Sequence, residues 1–302
     1  MKDKLVKIIP PDKIRHLEWN PDRGSVLPST SSATQSAVSF SPTSNVIFPA
    51  DVEAILTGQI FYDAKLPDAL QQALDYAGTD GIVATMPELI ATKIKADKTH
   101  DFWQKWYSVQ TEENIGIDTN GKYVKPGGAV LITLHGRGLL TPQRIRMAYE
   151  EGLVNGSAKY VPLEFSDLLK GSVYGEEIPL YFIDDFKKGI SNLPRRYGVV
   201  NDYTKMQSLK SGYHTRDEFL NNDLVIARAG GLENLASYFD LAKKSDDSTL
   251  GNWHPFSGRD ASVSQGRLLF LNGNCSGLDG SGNLSSDGRF VGVAPEAHVA
   301  KK

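Results

Sequence analysis

The sequence predicts a mixed α and β protein, α+β or α/β, with a mixed sheet and flanking helices. Three observations lead there. Apolar runs of strand length alternate with punctuated amphipathic helices through the middle of the chain. Helical patterns dominate before that region. Glycine-rich strand patterns follow it, with nine of the 28 glycines falling after residue 244. At 302 residues the chain is long enough to bury a substantial core.

Taken in order, the first distinctive stretch is Gly24 to Ala50. It carries no charged residue, and 11 of its 27 positions are Ser or Thr. Disordered linkers are usually charged and poor in apolar residues. This stretch instead keeps Val38-Ser39-Phe40 and Asn45-Val46-Ile47-Phe48, which read as short extended segments. Residues 1–49 are therefore expected to form an extended N-terminal arm, with a flexible polar linker as the competing reading. Residues 50–302 are expected to form a single mixed α and β domain, with a possible sub-boundary near 245.

Helix punctuation is clear after the arm. Pro67 near the start and Gly78 past the end frame a helix from Leu66 to Ala77, with Leu66, Leu70, Ala73, Leu74 and Ala77 on one face. Thr85-Met86-Pro87-Glu88 spells a capping box for a helix continuing through Leu89, Ile90 and Ile94. Phe102, Trp103, Trp106 and Tyr107 form an aromatic-rich turn whose rings suit a core better than a cofactor box. Ala129 to Leu134 reads as a buried strand, and Thr141-Pro142 opens a helix that Gly152 ends. Ile178 to Ile183 reads as a strand that Pro179 places at an edge. Thr215 to Glu218 is a second capping box, and Leu232 to Lys244 a helix. Arg267 to Leu271 and Arg289 to Val293 are expected strands in the glycine-rich C-terminal part.

Several function classes fall away. Lys and Arg number 33 against 36 Asp and Glu, a net charge of −3, so no basic field favours nucleic acid. No stretch approaches the ~18 apolar residues of a membrane helix, and no membrane partner is expected. A single cysteine, Cys275, makes no internal disulfide and points to the cytoplasm. The six histidines lack metal-ligand spacing, so no metal site is predicted and no cofactor is named. Asp279 to Asp287 places oxygen ligands at alternate positions. Leu284 stands where a calcium loop wants glycine, which leaves a glycine-rich hairpin or Ω-loop as the better reading.

Two segments carry residues of catalytic type. The first is His135-Gly136-Arg137-Gly138, between a strand and a capped helix. Free amides and the helix end converge there. Gly136, Arg137 and Gly138 are thus candidates to bind a small anionic substrate, and His135 to move a proton. This context resembles the His-Gly oxyanion segment of α/β-hydrolase lipases, but the Gly-x-Ser-x-Gly turn of those enzymes is absent. The second segment is Asn252 to Asp260. It offers His254 as general base, Asp260 to orient it and Arg259 to bind the anion, against a structural Arg259–Asp260 pair. Gly212 to Asp217 adds His214 and Arg216, which read as neighbours of a helix cap.

Two functions of different class follow. One is an enzyme, a hydrolase or transferase acting on a small anion with His and Arg from the two loops. The other is a structural protein that forms homo-oligomers through its uncharged arm, where burying a charge would be costly. Both stay open at this stage, and the first requires the two loops to meet.

Overall fold

A computed structural model describes residues 49–295, apart from 191, 243–247, 257–258 and 274–275. Val38-Ser39-Phe40 and Asn45 to Phe48 of the expected arm lie outside the described residues, as does Cys275. Pro49 and Ala50, the end of the uncharged stretch, open a helix instead.

In chain order the elements are α1 (Pro49–Leu56), β1 (Gln59–Asp63), α2 (Leu66–Ala77), β2 (Ile82–Val83), α3 (Met86–Lys95), α4 (Asp101–Gln104), β3 (Tyr107–Asp118) and β4 (Gly128–His135). Next come α5 (Pro142–Glu151), β5 (Ala158–Lys159), α6 (Pro162–Lys170), the hairpin β6 (Ser172–Val173) and β7 (Glu176–Glu177), β8 (Leu180–Phe182), α7 (Ile183–Phe186) and β9 (Tyr197–Asp202). The chain continues through α8 (Tyr203–Met206), β10 (Gly212–His214), α9 (Arg216–Leu220), α10 (Asp223–Ala229) and α11 (Leu232–Ala242). It closes with β11 (Leu250–Trp253), β12 (Gln265–Leu271), β13 (Leu278–Asp279) and β14 (Gly288–Val293). Helices flank a mixed sheet, so the class is α+β.

The expected helix punctuation is present. Gly78 ends α2 with its N–H on Leu74 O, and the Glu88 carboxylate accepts from the Thr85 amide and hydroxyl at 2.8 and 2.7 Å. Thr141 accepts from the Arg144 amide at the start of α5, and Glu218 closes the second box on Thr215. Pro179 precedes β8, which lies at the sheet edge. The part of the last expected helix beyond Ala242 lies outside the described residues.

The main sheet runs β10-β11-β13-β12-β3-β4-β9-β8, with β5 added on β12. The pairs β11–β13 and β8–β9 are parallel and the others antiparallel. A second sheet, β1-β14-β2, brings the C-terminal strand between two early ones. Strands after residue 245 thus join the same sheets as strands before it.

Successive residues of a strand point to opposite faces, and here the sheet divides the core by that rule. Leu269, Leu271, Val109 and Val199 pack with α3, α10 and α11. Their neighbours Leu268, Phe270 and Val200 pack on the other side with α2, α5 and α6. A smaller cluster holds Ile115, Leu131, Tyr203, Leu224 and Phe256. The central strand β3 is unusual because Thr111, Glu112, Glu113 and Asn114 are all buried. Their polar groups organise everything described next.

Candidate functional site

The His135–Gly138 turn folds beside a buried carboxyl group of the chain itself, Glu112, whose pKa burial raises. Glu112 of β3 accepts from the amides of Leu139 and Leu140 at 2.8 and 2.9 Å and from Asn114 Nδ2 at 3.0 Å. A β-carbon at Gly138 would come within 2.3 Å of the Glu112 carboxylate, and Gly136 turns at φ +85°. Arg137 is exposed and donates to Gly78 O. The Gly136 amide donates to Gln110 O at 2.9 Å, and the two amides that follow the expected Gly136–Gly138 segment are taken by Glu112.

His135 is fully buried. Its Nε2–H donates to Ala227 O at 2.9 Å, and its Nδ1 accepts from the Thr111 hydroxyl at 3.1 Å, which itself accepts from the Met86 amide. This tautomer is assigned from that network. Burial pulls the imidazole pKa down to about 4, so the ring is a neutral core group.

The second segment folds differently from its sequence expectation. Asp260 is exposed and accepts from the Ser262 amide and hydroxyl at 2.8 and 2.7 Å. It closes a turn and does not orient His254. His254 is nine-tenths buried and stacks on Phe256 at 4.3 Å between centroids. Burial, with Arg228 adding repulsion, lowers its pKa to about 4. Arg259 is buried and donates to Gln265 Oε1 at 3.1 Å and Ser157 Oγ at 3.3 Å. It makes no ion pair with Asp260. None of the seven expected residues lines either of two cavities, of about 470 and 370 Å³, in the described structure. Of the third motif, Arg216 pairs with Asp240 at 2.9 and 3.2 Å.

What the fold does gather is a pair of buried arginines beneath the C-terminal loops. Arg228 of α10 forks onto Glu113 at 2.7 and 3.0 Å, with both side chains fully buried. Burial alone would raise the Glu113 pKa, but Arg228 outweighs it and holds the carboxyl below its ordinary range. The remaining nitrogen of Arg228 donates to Asn252 Oδ1, Trp253 O and Leu278 O at 2.6, 2.9 and 3.3 Å. Arg267 stands opposite Glu113 in the β12–β3 register. It donates to the carbonyls of Gly280, Ser281 and Gly282 at 3.2, 3.2 and 3.3 Å, to Asn155 O, and to Ser157 Oγ. Arg267 thus holds the loop after β13 chiefly by main-chain oxygens, while Arg228 ties Glu113 to the strands β11 and β13.

Steric limits reinforce this frame. A β-carbon at Gly280 would meet Arg228 Nη2 at 2.2 Å, and one at Gly282 would meet the Phe270 ring at 2.2 Å. Leu284 is buried, whereas Ser281, Asn283 and Ser285 face solvent. Beside this loop, the Trp253 indole sits in a slot between Gly251 and Gly277, where either added β-carbon would lie 1.9 Å from the ring. Tyr213 of the edge strand β10 meets it edge to face at 5.4 Å and is half exposed. Sequence reasoning missed Arg228 and Arg267 as organisers. The available signal was one arginine inside the apolar run Leu224 to Ala229 and one heading the apolar strand that follows Gly266.

No family model and no curated protein matches this chain. A solved structure does, at 27% identity and a TM-score of 0.62, covering 78% of this chain and 97% of that one. It is described as "Accommodation of massive sequence variation in Nanoarchaeota by the C-type lectin fold". Among the described residues, no helix is long and apolar enough to cross a membrane.

Proposed function

We propose that this chain is a binding protein on a framework similar to the C-type lectin fold. Its recognition surface is formed by Tyr213, Trp253 and the exposed side chains of residues 279–287. The observation that carries this reading is the arginine frame. Arg267 fixes the loop through the carbonyl oxygens of residues 280–282, and Arg228 fixes the strands β11 and β13 beside it through those of Trp253 and Leu278, groups that every residue type possesses. Exposed side chains between these anchors are then free to differ without releasing the backbone. That is a physical route to the sequence variation ascribed to the similar structure. Tyr and Trp add large, amphipathic contact area of the kind that dominates binding energy at interfaces.

A library varying Tyr213, Ser281, Asn283 and Ser285 tests this. Most members are expected to keep their stability within about 1 kcal/mol, as surface changes do, and selection on an immobilised target protein should yield binders. The same library carrying Arg267→Met should yield far fewer. If most members of the first library fail to fold, the reading is wrong.

A second reading, turnover of a small anion, is favoured by one observation. His254 and Arg259 are each nine-tenths buried or more, and Arg259 Nη1 has no partner among the described residues. Hydrolysis of p-nitrophenyl acetate or phosphate that is lost in both His254→Gln and Arg259→Lys would support it, and no hydrolysis by the native chain would dismiss it for these substrates.

A further inference from the structure

The cavity of about 470 Å³ shares no residue with the recognition surface. It opens where α1, α3, α11 and the segment after α7 meet. Val52, Ala91, Ile94, Phe186 and Ile190 supply apolar walls, and the volume falls in the range that encloses small molecules. Its charged lining is uneven: Lys95, Lys187 and Lys188 against Glu233 alone. The carboxylates that pair with the lysines, Glu53, Asp223 and Asp185, lie outside the lining. The Lys95–Glu53 and Lys188–Asp185 pairs are exposed and therefore weak, so these ammonium groups exchange one carboxylate for another at little cost. A ligand inside therefore meets hydrocarbon on its body and ammonium groups at its head.

We propose that this cavity binds a small amphipathic carboxylate, with an aliphatic body against Val52, Ala91 and Ile94 and its single anionic head toward the lysines. The body contributes affinity through apolar burial, and the head fixes orientation and selects against neutral analogues.

Calorimetric titration of the full chain with decanoate and with decanol, at low salt, tests both halves. Saturable one-to-one binding of decanoate is expected, with decanol markedly weaker. Ala91→Trp and Ser237→Trp, which fill the cavity from two walls, should each weaken decanoate binding about tenfold or more while leaving the melting temperature close to native. Neutralising the head site with Lys95→Gln, Lys187→Gln and Lys188→Gln together should weaken decanoate several-fold and leave decanol unchanged. Two results overturn the proposal: no saturable decanoate binding, or decanol binding as tightly as decanoate in the native chain. Light scattering closes the remaining alternative, because a native mass that falls on Ala91→Trp would give the groove to a second copy of the chain.

Discussion

Glu112 and Glu113 are neighbours in sequence yet serve opposite faces of the sheet. Pleating sends Glu112 to the amides of Leu139 and Leu140, and Glu113 to Arg228. The protein thereby uses two buried carboxylates as anchors, each satisfied by its own donors. A consequence for single residues follows at the His135–Gly138 turn. Gly138→Ala drives a methyl group into the Glu112 carboxylate and is expected to cost about 1–3 kcal/mol, the range for overpacking a filled site. Arg137→Ala removes only an exposed side chain and is expected to change stability by less than about 0.5 kcal/mol. Urea denaturation of both variants distinguishes them. Equal costs would mean that the turn is built around the arginine and not around Glu112.

At the scale of elements, helices and the central strand differ in how far the sequence reveals them. α2, α3 and α5 carry their boundaries locally, in a proline near the start, a capping threonine or a closing glycine. β3, the longest strand among the described residues, has no apolar pattern to mark it in the sequence, because Thr111 to Asn114 interrupt one. Those residues are buried only because Arg228, His135, Leu139 and Tyr160 arrive from distant parts of the chain to satisfy them. The site follows the same logic. His254 and Asp260 stand close in sequence, yet His254 stacks on Phe256 and Asp260 accepts from Ser262. Trp253 finds its slot through Gly277 and its ring partner in Tyr213, both remote in sequence. The two arginine anchors should then behave differently when removed. Arg228→Met leaves the Glu113 carboxylate buried and unpaired, a loss of about 3–5 kcal/mol that should lower the melting temperature of the whole chain. Arg267→Met frees carbonyls nearer the surface. It should accelerate amide exchange across residues 279–287 well beyond its effect on β3 and β4. Uniform acceleration throughout the sheet would show that Arg267 holds the core and not the loop.

For the whole molecule, the buried histidines make stability sensitive to acid. His135 has a folded pKa of about 4 against an ordinary value of 6.5, because burial disfavours the imidazolium. Its folded pKa lies below its unfolded one, so the unfolded chain binds the extra proton first as pH falls. The stability contributed by the neutral ring is complete above pH 6.5 and is lost progressively between 6.5 and about 4. From pH 7.5 to pH 5 that one group removes about 2 kcal/mol, taking 1.36 kcal/mol per pH unit below the unfolded pKa. His254 titrates in the same direction. Glu113, held below its ordinary range by Arg228, adds its loss at lower pH still. Glu88 and Glu112, whose pKa values burial raises, act with the opposite sign, so the share of His135 is read by difference from denaturation free energies at pH 7.5, 6 and 5. His135→Gln, which has no proton to take up, should be less stable at pH 7.5 yet show a shallower decline, so the two curves converge toward pH 5. Parallel curves would move the acid sensitivity to other groups and leave His135 without a titrating role.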